Sequence, residues 1–351
     1  MDLKKKEAPE AAETGRHPET LYLLFFTEMW ERFSFYGMQA LLMIYMITET
    51  SKGGLGWTQK AAGNMYGAYV GLVYFTPLIG GYIADKFWGN QRCIIVGGFI
   101  IILGHLSLAL EPLWAFYAGL ILLVIGVGFF KPNISSMVGQ LYPEGSQLKD
   151  SAYTIFYMGI NIGSIFGTLL CGYLGERVGW HYGFGAAAIG MLLGQIVFIT
   201  QKYKLGNIGT VPVKNTEETF TSDFSTLSPV EKDRIWVIVI LSAFSMIFWI
   251  AWEQMGSSVS VFCLNYTDRY LPAFDFTVPA SWFQSLNPIF VVLMAPVLAI
   301  VWQKLGQKGK DLSVTVKFSL GLLIMGIAFL VLAIGSMGIA PGQATASVSI
   351  A

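Results

Sequence analysis

Five charged side chains stand where the surrounding sequence is apolar: Glu28, Glu31 and Arg32 in ETLYLLFFTEMWERFSFYGMQALL, Lys131 in GVGFFKPNISS and Glu253 in FWIAWEQMGSS. On a helix turning about 100° per residue, Arg32 falls close to Glu28, Glu31 lies to one side, and Phe35 and Gln39 continue the stripe. Two carboxylates sharing one guanidinium leave one negative charge over, which a proton or a second cation can neutralise. Lys131 is available as that cation, because a buried ammonium without a carboxylate tends to lose its proton. A Lys131–Glu31 or Lys131–Glu28 pair would answer both needs, and would open when another carboxylate competes for the lysine. The plainer alternative is a static pair, although such a pair in an apolar setting is often no better than hydrophobic packing. Glu253 has Trp249 one turn away, with Ser257 and Ser260 on its face by helical spacing; charge and cation–π attraction there suit an ammonium group. Asn161 (FYMGINIGS) and Asn287 (SLNPIF) are amides in apolar runs, able to bridge an amide N–H or C=O or to join helices.

The elements that would position these groups are membrane spans. Of 351 residues, 54% are hydrophobic and 13% charged, against about 25% charged in soluble domains. A spanning helix needs about 20 apolar residues, and nine candidates stand out: 21–48, 61–84, 93–110, 114–140, 152–174, 183–201, 235–260, 281–303 and 314–337. Runs this long without alternation favour helices over barrel strands. Charges inside them cost roughly 2.5–3.5 kcal/mol each on insertion scales, so their default reading is functional. Lys and Arg gather in alternate connections, for example Lys4, Lys5, Lys6, Arg16, Lys86, Arg92, Lys202 and Lys204, whereas Lys52, Lys60, Arg177 and Arg269 fall on the other side. That bias places the N-terminus in the cytoplasm of a multi-pass protein of the inner membrane. Residues 1–20 read as a cytoplasmic tail without the apolar core of a signal peptide, 21–201 as a six-helix bundle, 202–234 as a polar cytoplasmic linker and 235–351 as a partial bundle of three helices.

Other chemistries find little support. Formal net charge is +0, so no nucleic-acid partner is expected. Cys93, Cys171 and Cys263 are scattered without CxxC spacing and read as structural thiols, and His17, His105 and His181 are equally dispersed; no metal, no cofactor and no nucleophile set for an enzyme is expected. The glycine-rich stretches GVGFFKP and GINIGSIFG follow no strand, so they read as close helix packing rather than phosphate loops.

Taken in order, these segments resemble the proton-dependent oligopeptide transporters of the major facilitator superfamily. Glu28, Glu31 and Arg32 match the first-helix ExxER signature, FFKPNISS the fourth-helix lysine segment and FYMGINIGS the fifth-helix signature. FWIAWEQMGSS and ASWFQSLNPIF look like the seventh and eighth helices, and GGYIADKFWGNQR resembles the cytoplasmic loop motif of the superfamily; together the matches run from about residue 21 to about 305. The resemblance implies an all-α fold of major facilitator-like bundles and proton-coupled symport of di- and tripeptides by alternating access. It implies that Glu28, Glu31, Arg32, Lys131 and Glu253 couple protons. Tyr36, Gln39, Tyr69, Tyr74, Lys131, Asn161, Trp249, Glu253 and Asn287 would line the peptide site, and Asp85 and Arg92 would gate the cytoplasmic side. The chain departs from the family where Phe35 stands for a frequent Tyr, where Gln39 stands for a frequent Arg, in having no room for two extra helices in 202–234, and in showing no further helices after Ala340. The second bundle is therefore expected to be incomplete. Competing expectations are a proton-coupled carrier of nitrate or another small anion, and a non-transporting fragment or receptor.

Overall fold

Within a bilayer a helix satisfies every backbone N–H and C=O inside its own segment, and the apolar runs fold accordingly. The computed structural model describes residues 16–210, 228–310, 312–337 and 348–349. The helices are α1 (Glu19–Ile47), α2 (Gln59–Ile83), α3 (Asn90–Leu108), α4 (Leu113–Gln140), α5 (Leu148–Tyr173), α6 (Trp180–Gln201), α7 (Pro229–Glu253), α8 (Ser258–Tyr266), α9 (Leu286–Gln307) and α10 (Val314–Ser336). Among the described residues, eight helical stretches are both long and apolar enough to cross a membrane; α1 has the length as well, with 29 residues.

Two expected boundaries move. The linker ends earlier, because Ser228 and Glu231 form a capping box: Ser228 Oγ accepts the Glu231 N–H at 3.3 Å and the Glu231 carboxylate accepts the Ser228 N–H at 2.8 Å. This reciprocal cap starts α7 at Pro229, ahead of its apolar run. The seventh span, expected as one helix over 235–260, instead breaks after Glu253 into a 3-10 turn, Gln254–Gly256, before α8 resumes at Ser258. Gly256 weakens the helix, and the serines offer the backbone other partners. Ser257 Oγ donates to the Glu253 carbonyl at 3.3 Å, and Ser260 Oγ donates to the Met255 carbonyl at 2.7 Å.

The described residues fall into two compact units, one up to residue 210 together with 269–295, the other 228–268 with 296 onward. In the first, α1 lies along α5 on a seam of small residues: a methyl added at Gly163 would meet the Met29 carbonyl, and one at Gly167 the Phe33 carbonyl. Backbones approach this closely only where no side chain intervenes. The α2–α4 seam is built likewise at Gly80 and Gly128, with Thr76 Oγ1 donating to the Val124 carbonyl at 2.9 Å. Buried Gln195 hooks α6 to α3, donating to the Ile94 carbonyl at 3.1 Å. At the same end of α3, Asn90 Nδ2 donates to Asn133 Oδ1 at 2.9 Å and Gln140 Oε1 accepts the Gly209 N–H at 3.0 Å, strapping the stretch after α6 across α3 and α4. Beyond α5 runs a π-helical turn, Leu174–Val178, which meets a short antiparallel hairpin of β1 (Tyr270–Leu271) and β2 (Phe276–Thr277), paired Tyr270↔Thr277 and Leu271↔Phe276. The second unit carries α7, α8, α10 and the latter part of α9, whose Pro296 marks the division.

Candidate functional site

The triad of α1 forms as its spacing predicts. Glu28, Glu31 and Arg32 are 2%, 0% and 2% exposed. Arg32 Nε lies 3.0 Å from Glu28 Oε1 and pairs also with Glu31 Oε2. The guanidinium is further flanked by rings, 5.0 Å from the Phe35 centroid and 6.0 Å from that of Tyr36. Thr27 and Ser34 turn their hydroxyls back to their own helix, donating to the Leu23 and Glu31 carbonyls, and so do not compete for the charges. One formal negative charge remains on this turn of helix, in surroundings where an unbalanced charge is costly.

Lys131 is the second cation in the apolar part of the first unit. It sits on α4 next to Pro132, at the Gly80–Gly128 approach of α2 to α4. That packing brings Tyr74 of α2 within reach, and Lys131 Nζ lies 4.3 Å from its ring centroid. Within the triad, Arg32 pairs with both carboxylates. Gln39, continuing the stripe of α1, donates from Nε2 to Tyr66 Oη at 2.8 Å. Tyr66 was not singled out from the sequence; its one signal was the spacing of three from Tyr69, which puts both on the buried face of α2. Asn161 is buried on α5, and its Nδ2 donates to the Tyr157 carbonyl of its own helix at 2.9 Å.

Asn287 lies half-buried in the first turn of α9. Glu253 and Trp249 belong to the second unit. There, Trp249 is 47% exposed and Phe248 and Trp252 stack at 5.8 Å, forming an aromatic platform directly before the break that follows Glu253. Asp85 and Arg92 are both exposed, on either side of Gly89, and no ion pair joins them among the described residues. The opposite face of α1 borders an apolar groove of about 740 Å³ between α1, α5 and α6, lined by Trp30, Phe33, Phe166 and Ile189 among others. Its lining includes no charged group. Among the described residues no cluster of His, Cys, Asp and Glu could hold a metal ion.

Membrane-length helices, glycine seams and a buried ion triad in the first span define a multi-pass membrane carrier. The POT family model matches residues 91–216 and 211–348, and the chain belongs to that family. It is 37% identical to the "Uncharacterized transporter YclF" of Bacillus subtilis, over 95% of this chain and 76% of the relative. It is 33% identical to the "Peptide transporter YePEPT" of Yersinia enterocolitica, over 90% and 73%, and 31% identical to a "Di-/tripeptide transporter" of Lactococcus lactis, over 94% and 78%. Among solved structures, a POT family transporter in complex with 5-aminolevulinic acid superimposes with a TM-score of 0.85 at 30% identity, covering 97% of this chain and 80% of that one. A peptide transporter POT in complex with sulfate does so with a TM-score of 0.79 at 33% identity, covering 96% and 78%. The fold is therefore that of the major facilitator-type POT carriers, as the resemblance implied.

Proposed function

We propose that this chain moves di- and tripeptides together with protons across the cytoplasmic (inner) membrane by alternating access of two helical bundles. The observation that carries this reading is the triad: two fully buried carboxylates share one guanidinium, so one proton more or less decides whether the turn is neutral. The relatives' activities support the substrate class. The excess of Lys and Arg in alternate connections supports a cytoplasmic N-terminus. The first bundle runs over 21–201, and the second begins after the polar linker, with α7 at Pro229.

A peptide offers a carboxylate and an ammonium group. Protonation of Glu28 or Glu31 from outside removes the anion that engages Lys131, and the lysine takes the peptide carboxylate instead. Glu253 and the Trp249–Trp252 platform receive the ammonium group, Asn161 and Asn287 bridge the peptide bond, and Tyr36, Gln39, Tyr69 and Tyr74 complete the lining. Proton loss to the cytoplasm restores the negative charge, Lys131 returns to it and the peptide leaves. Asp85 and Arg92 act at the cytoplasmic mouth.

Uptake of a labelled dipeptide into liposomes holding the purified chain tests this reading. Accumulation should require an inward proton gradient, be competed by di-alanine, and vanish in Lys131→Ala and Glu253→Ala. In Glu31→Gln, gradient-driven accumulation should be lost while peptide-for-peptide exchange persists. Uphill accumulation by Glu31→Gln at the parental level would show that the proton is carried elsewhere.

A further inference from the structure

Glu176 makes a set of contacts that neither the charge triad nor the peptide site uses. It sits in the π-helical turn beyond α5, and its side chain is 10% exposed. One carboxylate oxygen accepts the Ala280 N–H at 2.8 Å and the other the Ser281 N–H at 2.7 Å. Ala280–Ser285 is the 3-10 turn that opens into α9, so both first N–H groups of that turn are held by one anion, the strong form of hydrogen bond. Arg269 Nη1 lies 3.8 Å from the same carboxylate and donates to the Val278 carbonyl at 2.7 Å. Next in sequence, Arg177 donates to the Thr277 carbonyl and lies 5.4 Å from the centroid of the Phe276 ring. Trp282 Nε1 donates to the Leu169 carbonyl at 2.9 Å. Gly172 leaves no room for a side chain against Ser281, which is 0% exposed. The beginning of α9 is thereby clamped to the end of α5, on the side of the membrane opposite the Lys-rich connections.

We propose that Glu176 is the latch of an outer gate. This inference rests on the alternating-access reading. The segment 269–285 follows the seventh and precedes the eighth span, yet it is fastened to the first bundle. An outer cavity bordered by α5 and α9 opens only if this fastening parts, and the carboxylate's two hydrogen bonds are its centre. Charge-assisted bonds of this kind hold firmly and release as a unit, because losing the anion leaves both N–H groups without their acceptor.

Two measurements test the latch, both in a background with Cys93, Cys171 and Cys263 replaced by Ala. In the first, Ser281→Cys is labelled with a membrane-impermeant maleimide from outside. Labelling should be slow with Glu176 present and accelerate roughly tenfold when Glu176→Ala is added, with Glu176→Gln between them because its amide keeps one acceptor oxygen. An unchanged rate in Glu176→Ala overturns the proposal. In the second, Gly172→Cys is combined with Ser281→Cys; a Cβ at position 172 would lie 3.1 Å from Ser281 Cβ, close to the span of a disulfide. Oxidation should stop dipeptide uptake and exchange alike, and a reductant should restore both. An oxidised protein that transports as fast as the reduced one shows a fixed strut rather than a latch, and sinks the idea. If the parental protein with Gly172 and Ser281 intact carries no dipeptide while labelling still responds to Glu176, the peptide assignment fails and the latch stands.

Discussion

Glu28, Glu31 and Arg32 face a constraint that few residue sets meet: three charges within one turn and a half, each almost wholly out of reach of water. Removing one partner of such a cluster leaves an uncompensated buried charge, a larger loss than the pair itself contributes. Gln39 and Tyr66 obey the same asymmetry on a smaller scale. Gln39 is 7% exposed, and Tyr66 accepts its amide proton. Tyr66→Phe should therefore cost about 1–3 kcal/mol by stranding the donor, seen as a lower unfolding temperature in detergent. Adding Gln39→Leu should recover most of the loss, because removing both partners costs little; a double variant as unstable as the single one would show that the bond is not what Tyr66 contributes. The triad was legible because charge within an apolar run is expensive and so stands out. Tyr66 was not, since one tyrosine among 16 carries no such contrast. Glu176 was hidden for the opposite reason, sitting in a polar connection where a carboxylate costs nothing until the chain folds over it.

At the level of elements, the glycine seams decide which helices touch. GINIGSIFG reads as close packing, and Gly163 and Gly167 do bring α5 onto the backbone of α1. Since the opposing atom at Gly163 is the main-chain oxygen of Met29, no rotamer change relieves a clash there. Gly163→Ala should push the helices apart and destabilise the first bundle by about 1–3 kcal/mol or more, lowering its melting temperature, whereas Gly185→Ala, where a methyl meets nothing within 4 Å, should not. Equal effects at the two positions would deny the seam. Helix existence was readable throughout, because 20-residue apolar runs have few other fates. The break after Glu253 was not: a short EQMGSS stretch leaves hydropathy high, and only the serine-to-backbone bonds reveal that the helix yields there.

For the molecule as a whole, the single spare charge of the triad sets a quantitative limit. One proton moving through 100 mV contributes about 2.3 kcal/mol, and each pH unit adds about 1.36 kcal/mol. With both applied, a carrier that takes one proton per neutral zwitterionic dipeptide should level off at several-hundredfold accumulation. A plateau that moves by the square of this ratio would mean two protons, and the triad alone would not account for them. The strap of Gln140 and Gly209 fastens the exit of α6 to α3 and α4, so the first bundle would move as one body in that cycle.

The buried triad also bears on how the protein is made. α1 precedes its partner helix α5 in the chain, yet its charges keep it out of the set apolar enough to cross a membrane by length and composition. At roughly 2.5–3.5 kcal/mol per charge, it has weak reason to leave the insertion machinery for lipid by itself. Its natural partner, the glycine face of α5, is synthesised more than a hundred residues later. The ion triad that would serve transport would thus also delay the release of α1 into lipid until α5 is made to cover it.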